Sequence, residues 1–294
     1  MNEFQHPGSR RLVNSGKFAG SRPGSFPLPP EPSVFRVALP GYSADMHQDV
    51  RWIFDSPARG SWNMAVDRAL LESANHRQQI TVRIYQWEPA TLSLGYFQAA
   101  RQRDGHVASR DCPLVRRASG GGAIVHDREL TYSIVIPATD PWARRNSELV
   151  GLVHRSLVGC LEHFGFHDLM IVERSTAATG SDPFLCFQRR AAGDVVYRGA
   201  KIIGSAQRRQ KEAILQHGSL LLARSDHAPE LPGLSELGGG RVPAVEELAR
   251  NWARLMERAC GWRHCRGETG ANEQQRAREI EQQVFANRQW TDKR

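Results

Sequence analysis

The run Arg116-Arg117-Ala118-Ser119-Gly120-Gly121-Gly122-Ala123-Ile124-Val125-His126-Asp127 sets three consecutive glycines between apolar segments. Leu114–Arg116 and Ala123–Val125 read as short strands on either side of it, and the stretch around Thr131–Ile136 reads as a longer one. Glycine carries no Cβ, so the intervening loop can bring its backbone close to a ligand. Successive unhindered N–H groups can hold an anion or a developing oxyanion. A flexible Gly-rich hairpin is the competing reading of Ser-Gly-Gly-Gly alone. The arginine pair before the loop and the His-Asp after it favour a binding loop. So does a second motif, Gly199-Ala200-Lys201-Ile202-Ile203-Gly204-Ser205-Ala206-Gln207, followed by Leu215-Gln216-His217-Gly218-Ser219.

Outside these motifs, the 294-residue chain is long enough for one large α/β domain with ends to spare. No apolar run approaches the ~20 residues of a membrane helix, and the N-terminus has no apolar stretch of the secretory kind. The five cysteines (Cys112, Cys160, Cys186, Cys260 and Cys265) include no Cys-x-x-Cys pair. They argue against a disulfide framework or zinc site and fit a reducing cytoplasm. Net charge is +8, and seven basic residues against the single acid Asp194 fall between Cys186 and Lys211. Such a segment steers acidic partners. A solvated basic face is the alternative; nucleic acid is not expected, because no helix-turn-helix, zinc finger or RNA-binding aromatic motif accompanies the charge.

Residues 1–47, rich in Pro, Gly and Ser, read as a disordered leader. The catalytic domain is expected over 48–262, and 263–294 as a polar tail, partly helical near Glu273–Phe285. A helix is expected over Met64–Asn75 with Ser61 as its cap. A second apolar helical stripe runs from Leu149 to Phe164 and stops at Gly165, with Cys160 as inert packing. A third helix, Ala244–Cys260, has Pro243 in its first turn and ends at Gly261. Runs of strands with few helices between them indicate a mixed, largely antiparallel sheet flanked by helices.

Taken in order, the motifs resemble the lipoate-protein ligase and octanoyltransferase superfamily, the acyl-handling relatives of biotin ligase. Upstream matches are Asn63-Met64-Ala65 with Asp67, Arg83-Ile84-Tyr85-Gln86-Trp87 with Pro89, and Ser93-Leu94-Gly95-Tyr96 with Gln98. The resemblance covers about residues 50–262, and the Gly-Arg-Gly loop of biotin ligases is missing. It implies a single biotin/lipoate ligase-like catalytic domain with Lys201 as the active-site lysine. Cys186-Phe187 before the lysine motif resembles octanoyltransferases of the LipM type, in which that cysteine takes the acyl group. The following Gln188–Gly193 departs from the type, lacking its acidic and Pro-Ser residues. A free thiol, with pKa about 8.5, is a few per cent thiolate at neutral pH yet strongly nucleophilic. Read alone, Cys186 is a buried structural thiol and Lys201 a solvated surface residue.

The substrate-binding set implied by the resemblance is Arg83, Arg116, Ser119, Gly120, Gly121, Gly122, His126, Gly204, Ser205 and His217, with no metal ligand. His126 and His217 are placed near the pocket with general-base, spacer and structural roles all open. The implied reaction moves an octanoyl or lipoyl group from acyl carrier protein, through Cys186, to a lysine of a lipoyl-type acceptor. Such acceptors include the glycine cleavage H protein and dehydrogenase E2 lipoyl domains. No cofactor is expected. The alternatives are an ATP- and magnesium-dependent lipoate-protein ligase and a non-catalytic paralogue that binds lipoyl domains. The leader reading carries its own test, because Met46 stands just before the first strand and is a candidate translation start. A chain beginning at Met46 is expected to keep its melting temperature. A drop of several degrees would mean that Phe35–Leu39 packs on the domain.

Overall fold

Strand alternation sorts the chain into an apolar face and a mixed face of one sheet, and the candidate site lies on the mixed one. In a computed structural model, residues 47–175 and 183–293 are described. All of the expected leader except His47, and most of the polar loop at 175–183, lie outside them. The main sheet has eight strands in the order β11 (Trp262–Gly267), β1 (Gln48–Phe54), β2 (Thr81–Tyr85), β6 (Glu129–Ile136), β10 (Ala213–Leu221), β9 (Ala200–Gln210), β8 (Val195–Tyr197), β7 (Met170–Ile171). β1 is parallel to β11 and β2, and the remaining pairs are antiparallel. Helix α1 (Gly60–Arg77) supplies the crossover that the parallel β1–β2 pair requires.

Even positions of β2, β6 and β10, among them Val82, Ile84, Tyr132, Ile134 and Ile214, join the larger core. Helices α2 (Asn146–His163) and α4 (Val245–Cys260) cover that face, with the short α3 (Leu234–Leu237) beside them. Odd positions belong to the opposite face. There Tyr85, Val135 and Leu215 pack with α1, and Arg83, Thr131, Ser133, His217 and Ser219 are buried with them. Cys160 is fully buried in α2, and burial pushes its thiol up, as an inert packing residue requires. Among the described residues no helix is long and apolar enough to cross a membrane.

A second sheet has three strands, β4 (Leu114–Arg116), β3 (Thr91–Leu94) and β5 (Ile124–His126), with β3 in the middle. It is parallel to β4 and antiparallel to β5. The strands on either side of the glycine loop therefore do not form the hairpin considered from sequence. The loop passes the end of β3 instead, tied there by Arg117 N–H to Leu94 O and Tyr96 N–H to Ser119 O, both 2.9 Å.

Two helix starts differ from expectation. α1 begins at Gly60, so Ser61 does not cap it; its hydroxyl donates to Glu281 Oε1 at 2.6 Å. α4 begins at Val245, leaving Pro243 ahead of the first turn. Gly165 and Gly261 do end their helices in the left-handed region, at φ 88° and 68°.

The largest difference concerns the boundary expected at 262. β11 extends the sheet beyond it, and α5 (Ala271–Ile280), a π-helical turn (Glu281–Phe285) and α6 (Arg288–Thr291) follow. This segment reads as a polar tail because its anchors are buried carboxylates. Glu273 accepts both arms of Arg51 at 2.9 Å, Arg77 at 2.7 Å and Ser73 at 2.9 Å. Glu281 accepts Arg59 twice at 2.7 Å. Burial raises the Glu273 carboxyl, but hydrogen bonds from Arg51 and the Gly270 N–H outweigh it and hold the group at about 2. A lowered folded-state value stabilises above the unfolded value of 4.5 and is lost as pH falls toward 2. Glu273→Gln is expected to cost about 3 kcal/mol at neutral pH, the loss of one partner of a buried pair. In urea titrations the gap to wild type should close between pH 4.5 and 2. A gap of unchanged size at the acid end would remove the charge from the explanation.

Candidate active site

Backbone hydrogen bonds carry Cys186 to the glycine loop. Ala123 N–H donates to Phe184 O at 3.0 Å, and Cys186 N–H donates to Ala123 O at 2.7 Å. Cys186 then opens a single 3₁₀ turn and stays half-buried. A Cβ on Gly122 would lie 3.1 Å from both the Cα and the N of Cys186, closer than ordinary van der Waals contact, so this approach favours glycine there. Lys201, near the start of β9, folds its side chain over Gly204, where a Cβ would lie 2.6 Å from Lys201 Cε. The result is a Cys186 Sγ to Lys201 Nζ distance of 3.9 Å. Lys201 Nζ also pairs with Asp194 Oδ2 at 2.7 Å, and both residues are buried. Asp194 is held by the Ala191 N–H at 2.7 Å.

Arg117 organises the glycine loop from behind. Its guanidinium is buried and donates to Ser93 O at 2.9 Å, Gly120 O at 3.3 Å and Gly122 O at 2.7 Å. Burial pulls its pKa down from the usual value. With these carbonyls engaged, the N–H groups of Gly120, Gly121 and Gly122 have no acceptor among the described residues. Such N–H groups are donors of the kind that stabilise an oxyanion.

A cavity of about 350 Å³ gathers Cys186, Lys201, Asp194, Gly120, Gly121, His126, Gly204, Ser205 and His217, with Met64, Tyr85, Trp87 and Phe187 among its apolar walls. A second cavity of about 340 Å³ shares Met64 and His217 with the first and has Ser119 in its wall. Ser119 Oγ and His217 Nε2 are 2.6 Å apart. Burial, then the charges of Arg117 and His126, push His217 down to about 3, so its imidazole stays neutral. His126 is occupied at both nitrogens: Nδ1 meets Glu129 Oε1 at 2.7 Å, and Nε2 meets Ser93 Oγ at 2.7 Å. Its ring stacks on Trp87 at 3.9 Å. With both nitrogens engaged, His126 has the contacts of a spacer. Among the described residues no three His, Cys, Asp or Glu side chains are grouped to hold a metal ion.

Three expected substrate contacts, Arg83, Arg116 and Gly122, lie on neither cavity wall. Arg83 is fully buried and bonds Asp55 at 2.6 Å, Asp67 at 2.9 Å and Asn63 Oδ1 at 2.9 Å, so its charge is spent inside the fold. Arg116 lines neither cavity and donates to backbone carbonyls of Gly95, Gln98 and Thr291. Gly122 packs behind Cys186 without lining the hollow. The contacts missed from sequence are Arg117 and Asp194. Strand alternation makes Arg116 and Arg117 point opposite ways but does not say which points inward. Asp194 had a visible signal as the lone acid in a basic run.

Comparison with known proteins fits this geometry. The model of the lipoyl protein ligase A/B catalytic domain matches residues 59–228, more than half the chain. The chain belongs to this family. Family members named octanoyltransferase LipM include one from Brevibacillus brevis, 37% identical over 180 residues, covering 58% of this chain and 65% of that protein. Another, from Kyrpidia tusciae, is 39% identical over 184 residues, covering 60% and 66%. The chain thus spans just under two thirds of these curated relatives. Solved structures share the family fold at lower identity. A bi-partite lipoate protein ligase from Thermoplasma acidophilum has TM-score 0.63 and 18% identity, over 84% of this chain and 96% of that one. Lipoate-protein ligase A bound with ATP has TM-score 0.62 and 19% identity, over 84% and 99%. The approach at Gly122 is testable without substrate. Gly122→Ala should displace Cys186 and slow its alkylation by iodoacetamide about tenfold while the melting temperature changes little. Alkylation at the wild-type rate would mean that the loop yields without moving the thiol.

Proposed function

We propose that this chain is a protein N-octanoyltransferase that carries an octanoyl or lipoyl group from acyl carrier protein to a lysine of a lipoyl-type acceptor. The observation that carries the reading is the half-buried Cys186 thiol, 3.9 Å from the Lys201 ammonium and beside glycine amides without acceptors. Relatives bearing the octanoyltransferase name support it.

In the first step the Cys186 thiolate attacks the thioester carbonyl of the acyl carrier. Lys201 gives the thiolate a nearby positive charge, and the glycine N–H groups receive the oxyanion. The new carbon–sulfur bond to Cys186 forms as the bond to the carrier sulfur breaks, and the departing thiolate takes up a proton. In the second step the neutral amine of an acceptor lysine attacks the acyl-cysteine. A carbon–nitrogen bond replaces the carbon–sulfur bond, and the proton lost by the amine returns to the Cys186 sulfur. Exchanging one thioester for another needs little driving force, and amide formation draws the second step forward. Asp194 holds the Lys201 ammonium in place through both steps. The scheme uses no ATP and no metal, and it belongs to the cytoplasm, where acyl carriers and lipoyl domains occur.

Partner docking follows from charge. Arg190, Arg198, Arg208, Arg209 and Lys211 are exposed on the segment that carries Lys201. An acidic carrier or acceptor is attracted to such a surface and oriented by it.

Incubation with octanoyl-acyl carrier protein in the absence of ATP should add one octanoyl group to Cys186, released by hydroxylamine and seen by intact mass. Cys186→Ser should reduce transfer to a lipoyl domain by at least a hundredfold. Lys201→Arg should not restore the activity lost in Lys201→Ala, because a guanidinium differs in shape and holds its proton. Transfer that requires ATP and survives in the serine variant would place the chain among the ligases instead.

A further inference from the structure

The C-terminal segment, beyond the residues matched by the family model, reaches the site. Phe285, closing the π-helical turn, and Trp290, in α6, line the second cavity together with Met64, Leu71 and Leu215. The segment is fixed there through Arg116. Arg116 Nε and Nη2 donate to Thr291 O at 2.9 and 2.7 Å, and Trp290 Nε1 donates to Arg116 O at 2.9 Å. The Trp290 ring lies 6.1 Å from Phe285 and 5.8 Å from Tyr96, and the Lys293 ammonium sits 3.6 Å over it.

Two of the three charged groups on this cavity are already paired, and the third, Arg208, is exposed and reaches Ala118 O at 3.4 Å. Asp67 accepts from Arg83 at 2.9 Å and Tyr85 at 2.8 Å, and Arg68 pairs with Glu72 at 3.0 Å. Much of the remaining surface is aliphatic and aromatic, suited to a hydrocarbon. The cavity adjoins that of Cys186 through Met64 and His217. An acyl chain anchored on Cys186 and directed past His217 therefore ends against the C-terminal aromatics. We propose that Phe285 and Trp290 form the end wall of the acyl pocket and set the chain length that the protein accepts. This rests on the acyl-transfer reading above and adds the segment that measures the acyl group.

The test uses the full chain, wild type and the variants Trp290→Leu, Phe285→Leu and Leu71→Phe. Each is incubated with acyl carrier protein bearing hexanoyl, octanoyl, decanoyl or dodecanoyl chains, and the adduct on Cys186 is read by intact mass. Binding of free octanoate and dodecanoate is titrated in parallel, a readout that needs no transfer. The two shortened side chains should raise dodecanoyl relative to octanoyl about tenfold in both measurements. Leu71→Phe, which fills the same cavity, should shift preference toward hexanoyl. Its independent direction keeps the proposal testable even where a Trp290 variant folds poorly. Wild-type acylation with an unchanged length profile in the folded variants overturns the end wall alone. A wild type that takes no acyl group, with variants that still bind dodecanoate more tightly, overturns the transfer reading and supports the end wall.

Discussion

Everything at the candidate site depends on one short clip, the pair of backbone hydrogen bonds that join Ala123 to Phe184 and Cys186. The glycine loop and the cysteine are far apart in sequence and come from segments with little regular structure of their own. Backbone pairing fixes their separation more firmly than side-chain contact could, because each bond is short, directional and buried. Gly122 is the counterpart of that clip, since a Cβ there would crowd the Cys186 backbone at 3.1 Å. The thiol thus arrives beside the loop amides by main-chain geometry, and Lys201 is brought to it by β9.

The sheet face that bears the site carries an unusual load of buried polar groups, and the ways they are satisfied differ. Arg83 is paired with carboxylates, and Lys201 with Asp194. Arg117 is solvated by main-chain and hydroxyl oxygens. A buried guanidinium bonded to carbonyls stays available to a nearby negative charge in a way that one bonded to a carboxylate does not. Arg116 also meets main-chain carbonyls, so position sets Arg117 apart: of the three arginines it alone lines the cavity of Cys186. Glu129 ties the same face together, accepting from His126, Thr131 and Ser219.

Sequence reading went furthest where local pattern and structure have the same cause. The stripe from Leu149 to Phe164 is apolar because α2 is buried on one side, so the pattern alone reveals the helix. The glycine loop and the Lys201 motif are legible because close backbone approach restricts residue type. β11 was not legible: among its residues only Trp262 is buried, and pairing with β1 uses main-chain groups that leave no mark on side-chain pattern. The helix near Glu273–Phe285 was legible, but its docking on the domain was not, because its anchors are carboxylates bound to distant arginines. The choice between Arg116 and Arg117 had the same character. Alternation gives opposite directions, but only tertiary packing says which direction is inward.

The place of β11 has a consequence for how the chain assembles. β1 is the first described strand, and one of its two neighbours is made more than two hundred residues later. During synthesis β1 can pair with β2 early, but its other edge stays open until Trp262–Gly267 has emerged. An unpaired edge beside an apolar face invites association with other nascent chains. Contacts of such long sequence separation also form slowly. The arginines of β1 and α1, awaiting carboxylates from the same late segment, keep that exposed edge charged in the interval.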